Sequence, residues 1–478
     1  MRFFGRNEIL AQLDALWGKR TASFVTCRGR RRIGKSTLIE RFAMCSDARF
    51  IRIEGLRPSE DCDNECELRS FASQLSVQVR RDVAVPSDWL HAFVALNDVI
   101  EDDCRTVVLL DEVSWMAAYD KMFAGTLKVA WDNYFKKHDR LVFVVCGSVS
   151  TWIKENIVDN GAFYGRRSLD VVVPELPLCD CVRFWGDTAD RTRVVEILDV
   201  LSVTGGVPRY LEEIDPALSA TENLRRLCFM PNALLREDFD EMFKDVVTKK
   251  VKLAGRIIRA LKDGARTLSE IAGDLQIPVG GDVSEALGQL IESRLVFGDG
   301  GKNPKTGAPI REVRYRLSDN YSRFYLRHIE PVKETIDAGA FVFNGLDQFA
   351  GWDTLMGLQF ESLIVNHYAE LLSPLHLDNV MVTSAAPYFK RGTKTNGGGC
   401  QIDLLLQTNS AAYLVEIKRK ESIGREIMDE VNTKARRLQL PREKSFRRAL
   451  VYEGNLAKSV EADGFFDAII PFRRLLNL

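Results

Sequence analysis

The sequence predicts an α/β chain with a parallel sheet near its amino end and a second α/β unit at its carboxyl end. Three observations carry this. Two unbroken apolar runs, 106–110 (TVVLL) and 141–146 (LVFVVC), have the composition of strands buried on both faces, and they alternate with segments of helical period. A glycine-bearing stretch joins a short apolar strand to a helix across 23–42 (SFVTCRGRRRIGKSTLIERF). Near the carboxyl end, 402–406 and 413–418 read as the two strands of a hairpin, framed by helical stretches.

Composition sets the outer limits. The 478 residues imply several domains at roughly 100–200 residues each. A net charge of −1 excludes a global field that draws the chain to nucleic acid, so any such attraction is local. Ten cysteines without a C-x-x-C pair and five histidines give neither a disulfide framework nor a zinc pattern. The start, MRFFGRNEIL, lacks the apolar core of a signal peptide, and no apolar run approaches the ~20 residues that span a bilayer. The expectation is a soluble, cytoplasmic protein with no membrane partner.

Taken in order, an amphipathic helix carries Ile9, Leu10, Leu13 and Leu16, and 23–27 is a short buried strand. Then follow Gly29, Arg30, Arg31, Arg32, Ile33, Gly34, Lys35, Ser36 and Thr37, which satisfy G-x-x-x-x-G-K-[ST] at every fixed position. The chemistry requires this pattern. Glycines let consecutive N–H groups turn toward a phosphate, and the helix end adds its positive dipole. Lys35 is a point charge for the β- and γ-phosphates, and the Ser36 hydroxyl is a ligand for Mg²⁺. ATP and Mg²⁺ are the expected cofactors. The run at 106–110 ends in Asp111 and Glu112. A carboxylate there orients Mg²⁺, and the next one polarises the attacking water. Ser148 follows the neighbouring strand and is placed to sense the γ-phosphate.

FFGRNEIL, GRRRIGKST, VVLLDEVSWM, VVCGSVSTWI, FYGRR and VTGGVPRYLEE occur in that order. Together they resemble the archaeal-type ATPases of the AAA+/STAND group of P-loop NTPases, over residues 1–240. The resemblance implies a three-layer P-loop core (1–174) and a helical lid (175–245). It places a basic element at Gly165-Arg166, with Arg167 next; either arginine is a candidate finger, in cis or across a subunit interface of a homo-oligomer. It puts the lid's G-x-P on Gly206-Val207-Pro208, beside the nucleotide.

Residues 246–326 read as three helices and a β-hairpin, a winged helix. Thr267 and Glu270 form a capping box for its second helix. The third helix carries Asp282, Glu285 and Glu292 and no Lys or Arg, which favours a structural or protein-binding role over DNA reading. Lys302, Lys305 and Arg311 in the wing keep phosphate contact open. Residues 327–350 form a connector.

The last part, 351–478, is a second chemical centre. A helix carries Glu361, a glycine-rich stretch covers 395–399, and Asp403 opens a strand. Twelve residues separate Asp403 from Glu416-Ile417-Lys418. Period-two alternation places Glu416 and Lys418 on one face and Ile417 on the other. Facing carboxylates suit Mg²⁺-dependent phosphodiester cleavage, with Lys418 stabilising developing charge and Glu361 adding a ligand. This resembles the PD-(D/E)XK nuclease superfamily, and implies a restriction-endonuclease-like fold. It also resembles the domain of unknown function that follows many archaeal-type ATPases. Residues 390–448 carry 14 Lys and Arg against 7 Asp and Glu, the footprint of a phosphate-backbone binder such as a DNA partner. The leading expectation is an ATPase controlling a nuclease-like domain that acts on DNA. The alternative is a nucleotide-dependent switch or scaffold whose last domain binds nucleic acid or protein without cutting.

Overall fold

The computed structural model describes residues 2–148, 150–246, 250–392 and 398–478. Residues 395–397 of the expected glycine-rich stretch lie outside the described residues. The chain divides into two compact units, Gly5–Glu175 and Met1–Phe4 with Leu176–Leu478.

The first unit runs α1 Asn7–Asp14, β1 Ser23–Arg28, α2 Lys35–Cys45, β2 Arg49–Glu54, α3 Asn64–Val79, α4 Trp89–Asn97, β3 Thr106–Asp111, α5 Phe123–Asn133, β4 Leu141–Gly147 and β5 Arg167–Val172. Its strands form one parallel sheet in the order β2-β3-β4-β1-β5. β3 and β4 are buried at every position, as their unbroken apolar runs require. Phe24, Val108, Leu110 and Phe143 share a core with Phe71, Trp89 and Phe123 of the covering helices. Register pairs Arg28 with Gly147 and Leu110 with Val145. The loop after β1, the end of β3 and the end of β4 therefore gather at the carboxyl edge, where open α/β sheets bind ligands.

The second unit includes α6 Val194–Thr204, α7 Ala220–Cys228 and α8 Leu234–Val246. Next come α9 Val251–Ala260, β6 Arg266–Thr267, α10 Leu268–Asp274, α11 Gly281–Glu292, β7 Val296–Asp299 and β8 Arg314–Leu317. The three strands pair antiparallel in the order β6-β8-β7. The capping box forms at α10: Thr267 Oγ1 accepts from the Glu270 N–H (3.2 Å), and Glu270 Oε2 from the Thr267 N–H (2.8 Å).

After α12 Asn320–Phe324 and α13 Trp352–Asn366, the chain forms β9 Ser384–Lys390, β10 Cys400–Gln407, β11 Ala411–Ile423, α14 Glu426–Arg437, β12 Ser445–Leu456 and β13 Ala468–Pro471. These strands make a separate mixed sheet, ordered β13-β12-β11-β10-β9. β9, β10 and β11 are antiparallel neighbours; β11, β12 and β13 are parallel. One face, with Leu404, Val415 and Ile417, shares a core with Phe360 and Leu363 of α13 and with Ile197 and Leu201 of α6. The other, with Leu405 and Leu414, packs on Ile427 and Val431 of α14. Among the described residues no helix is long and apolar enough to cross a membrane.

Candidate functional site

The loop between β1 and α2 is a backbone cradle. Gly29 has φ +155°, and a Cβ there would lie 2.8 Å from the Val173 carbonyl oxygen, so glycine is needed for space as well as torsion. Gly34 is left-handed and caps α2. Lys35 begins that helix and is buried; its Nζ donates to the carbonyls of Gly29 and Arg30 at 3.1 Å each. The ammonium is therefore aimed across the concavity. Arg6 braces the loop from outside, donating to the Ile33 carbonyl (3.4 Å) and the Glu175 carbonyl (3.2 Å), while Arg30 faces the Glu175 carboxylate at 3.6 Å. Arg31, Arg32 and Thr37 are half-buried, and Arg32 is left-handed at φ +65°.

Ser36 Oγ donates to Asp111 Oδ2 at 2.6 Å, which joins the loop to the end of β3. Glu112 follows in a left-handed conformation (φ +49°), and its Oε2 accepts both the N–H and the hydroxyl of Ser148 at 2.9 Å. The structure thus brings together Lys35, Ser36, Asp111, Glu112 and Ser148. It adds Arg52 of β2, whose guanidinium donates to Asp111 Oδ2 (2.7 Å) and to Glu54 (2.9 Å). Burial raises the Glu54 carboxyl above the usual carboxylate range, with Arg52 opposing and Asp111 adding to the rise.

Arg166 and Arg167 lie elsewhere. Arg167 is in register with Phe24, five residues before Gly29, which is roughly 16 Å along a strand. The cis role expected of these arginines is not compatible with this register, because β5 starts at the opposite edge of the sheet from the loop. Arg166 holds Asp132 with two hydrogen bonds (2.8 and 3.0 Å), keeping that carboxyl well below its usual range. Gly206 and Pro208 belong to the other unit. Gly206 accepts the Leu176 N–H at 2.8 Å, and Pro208 is the first residue of the short helix Pro208–Leu211.

The second unit holds a cluster of carboxylates on the mixed sheet. Asp403 sits where the β9–β10 register shifts, a bulge that re-aims its side chain. Its Oδ2 accepts the Ile417 N–H at 2.9 Å, which locks it against the strand carrying Glu416. Lys434 of α14 reaches Glu416 Oε2 at 2.6 Å and Asp403 Oδ1 at 3.6 Å. Lys418 is held by Glu430, one turn earlier on α14, at 2.9 Å. Burial, and then Asp403, push the Glu416 carboxyl up to about 7. Burial, then Asp403 and Glu416, push Glu361 up to about 8. Asp403, Glu416 and Glu361 are hard oxygen donors of the kind a divalent cation takes.

No family model matches the chain. A Walker-type ATPase of Pyrococcus abyssi superposes with a TM-score of 0.51 at 16% identity, covering 68% of this chain and 96% of that one. The likeness is one of fold. The parallel sheet and its loop form a P-loop NTPase core, with the mixed sheet as a separate element. The ORC2 protein of Aeropyrum pernix, solved in ADPNP–ADP complexes, covers 70% of this chain and 94% of its own at 15% identity and a TM-score of 0.42. An uncharacterized protein of Methanocaldococcus jannaschii is 23% identical over 433 residues, 89% of each chain.

Two residues of these sites escaped the sequence reading. Arg52 is a mid-strand arginine in an ordinary alternation, and only the pairing of β2 with β3 brings it to Asp111. Lys434 reads as part of a solvated basic helix face with Arg436 and Arg437. Its separation from Glu430 by one helical turn carried the only signal, since residues four apart share a face.

Proposed function

We propose that this protein is a Mg²⁺-dependent ATPase coupled to a metal-dependent nuclease-like domain acting on DNA. The observation that carries the first half is the Ser36–Asp111 contact beneath the Lys35 cradle. The loop amides and Lys35 bind the phosphates of ATP. Ser36 and Asp111 would hold Mg²⁺, which would supply charge neutralisation for the phosphates. Glu112 orients the attacking water once it leaves Ser148, and Ser148 is then free to donate to the γ-phosphate. Arg166 or Arg167, at the far edge of its own sheet, acts as a finger only on a neighbouring copy.

In the second half, Asp403, Glu416 and Glu361 would hold a divalent ion, which would supply Lewis-acid polarisation of a phosphodiester and a more acidic bound water. Lys418 orients that water or offsets charge on the phosphate. The helices α9, α10 and α11 with β6, β7 and β8 have the element order of a winged helix, which we assign a structural role. Its wing is already engaged: the Lys302 N–H donates to Ser384 Oγ at 3.1 Å, and the Lys302 carbonyl accepts from Gln407 at 2.7 Å. The shared core of α6, α13 and the mixed sheet supports coupling, because α6 cannot shift without disturbing the helix that carries Glu361.

A second reading has its own observation. The Lys434 ammonium on Glu416 and Asp403 favours a switch whose last domain binds nucleic acid without cutting it. The test is ATP turnover and cleavage of labelled DNA by purified protein with Mg²⁺ or Mn²⁺. Turnover lost in Glu112→Gln and cleavage lost in Glu416→Gln support the proposal. ATP turnover without cleavage of any substrate selects the switch.

A further inference from the structure

A cavity of about 370 Å³ opens onto the carboxylate cluster. Its walls come from the small antiparallel sheet, from α12 and α13, and from β9 and β10, and both Glu361 and Asp403 line it. Whatever fills it lies against the proposed metal ligands. The volume is at the small end of the ~300–1,000 Å³ range of small-ligand sites, enough for one nucleotide and not for a duplex.

The lining decides the chemistry. Arg323 is 1% exposed; its terminal nitrogens donate to Gln359 (2.6 Å), Ser362 (3.0 Å) and the Leu317 carbonyl (2.6 Å). Its Nε finds no partner among the described residues. Asp299, with a side chain 9% exposed, spends Oδ1 on Arg316 at 3.1 Å, and its Oδ2 likewise finds none among the described residues. Both of these atoms are enclosed, so the accessible chemistry of the cavity comes from its other lining groups. The cavity also has an aromatic wall at Phe389, with the Arg314 guanidinium 4.3 Å from its ring centroid. Aromatic faces paired with arginine are stacking platforms for bases. Finally, the lining holds five carboxylates, of Asp263, Asp299, Glu312, Glu361 and Asp403, against three arginines. That balance disfavours an anion in the cavity body and suits a neutral base there, with its phosphate at the metal ligands.

We propose that this cavity takes a single unpaired nucleotide of the strand at the carboxylate cluster, its base on the Phe389 wall. The proposal rests on the nuclease-like reading and narrows its substrate to nucleic acid with an unpaired base beside the scissile phosphate. A duplex reaches the site only by extruding a nucleotide, at the cost of unstacking it.

The test is fluorescence anisotropy of labelled single-stranded DNA, single-stranded RNA and blunt duplex DNA on the full chain, with Ca²⁺ in place of Mg²⁺. Leu358→Trp fills the cavity from α13, and Phe389→Ala removes the stacking wall at a residue 38% exposed, where folding tolerates the change. Unchanged urea midpoints check folding. The expected result is single-strand binding at least tenfold tighter than duplex binding, weakened at least tenfold by either variant. Equal affinity for single strand and duplex, or single-strand binding unchanged in both variants, overturns the proposal. Cleavage assays separate the two readings. Cleavage that survives Leu358→Trp removes the cavity and leaves the nuclease, whereas cavity-dependent binding without cleavage removes the nuclease and leaves the cavity.

Discussion

Replacing Glu361 by Gln removes one ionisable group from the carboxylate cluster without changing its shape, and its consequence depends on pH. In the folded chain the Glu361 carboxyl rises from an ordinary 4.5 to about 8, because it is buried and faces Asp403 and Glu416. At 1.36 kcal/mol per pH unit the ionised form carries a folded-state cost of roughly 4–5 kcal/mol at most. The sign follows from proton binding. The folded chain binds this proton more tightly than the unfolded chain, so stability falls as pH rises. Below pH 4.5 both states are protonated and the cost is absent. It accumulates between 4.5 and 8 and is complete above that window. Glu361→Gln does not titrate, so its stability relative to wild type grows across the window by a few kcal/mol. Urea unfolding at pH 5 and pH 8.5, for wild type and Glu361→Gln without divalent ions, reads the difference directly. A gap between the two proteins that stays constant within ~0.5 kcal/mol across that range refutes the electrostatic account of the cluster.

Other consequences follow from the same contacts. Lys434→Met leaves Glu416 and Asp403 without their ammonium partner, and Mn²⁺ binding measured by electron paramagnetic resonance tightens at least about tenfold. Mn²⁺ affinity unchanged by this substitution removes Lys434 from the site. Lys35→Ala deletes the charge in the loop, and ATP affinity by calorimetry falls about ten- to hundredfold, as expected for charge-assisted hydrogen bonds of ~1.5–3 kcal/mol. Arg52→Met frees Asp111 from its guanidinium, and the Mg²⁺ concentration giving half-maximal ATP turnover falls. An increase instead assigns Arg52 a supporting role at the ion.

The parts of the molecule legible in the sequence are those whose signal is local. The loop from Gly29 to Ser36 is one contiguous segment with one backbone solution, and the runs before Asp111 and Gly147 have a composition that only a doubly covered strand tolerates. Glu416 and Lys418 share a face by alternation alone, with Ile417 turned to the opposite core. The rest depends on what covers a face, which periodicity does not specify. The core common to α6, α13 and the mixed sheet joins residues more than 200 positions apart, such as Leu201 and Val415. The Asp403 bulge and the Lys434 contact arise when β10 and α14 pack against β11, and the register that removes Arg166 and Arg167 from their own nucleotide site is set by β1–β5 pairing. The orphaned groups of Arg323 and Asp299 belong to residues that read as ordinary charged positions.

On the proposed function the nucleotide site governs the carboxylate site. The most direct test is the initial rate of single-stranded DNA cleavage by the intact chain at saturating Mg²⁺, with and without ATP, beside Lys35→Ala. The expected rate changes severalfold with ATP in the wild type and is unchanged by ATP in Lys35→Ala, with Asp403→Asn inactive throughout. A cleavage rate indifferent to ATP in the wild type, with ATP turnover intact, contradicts it.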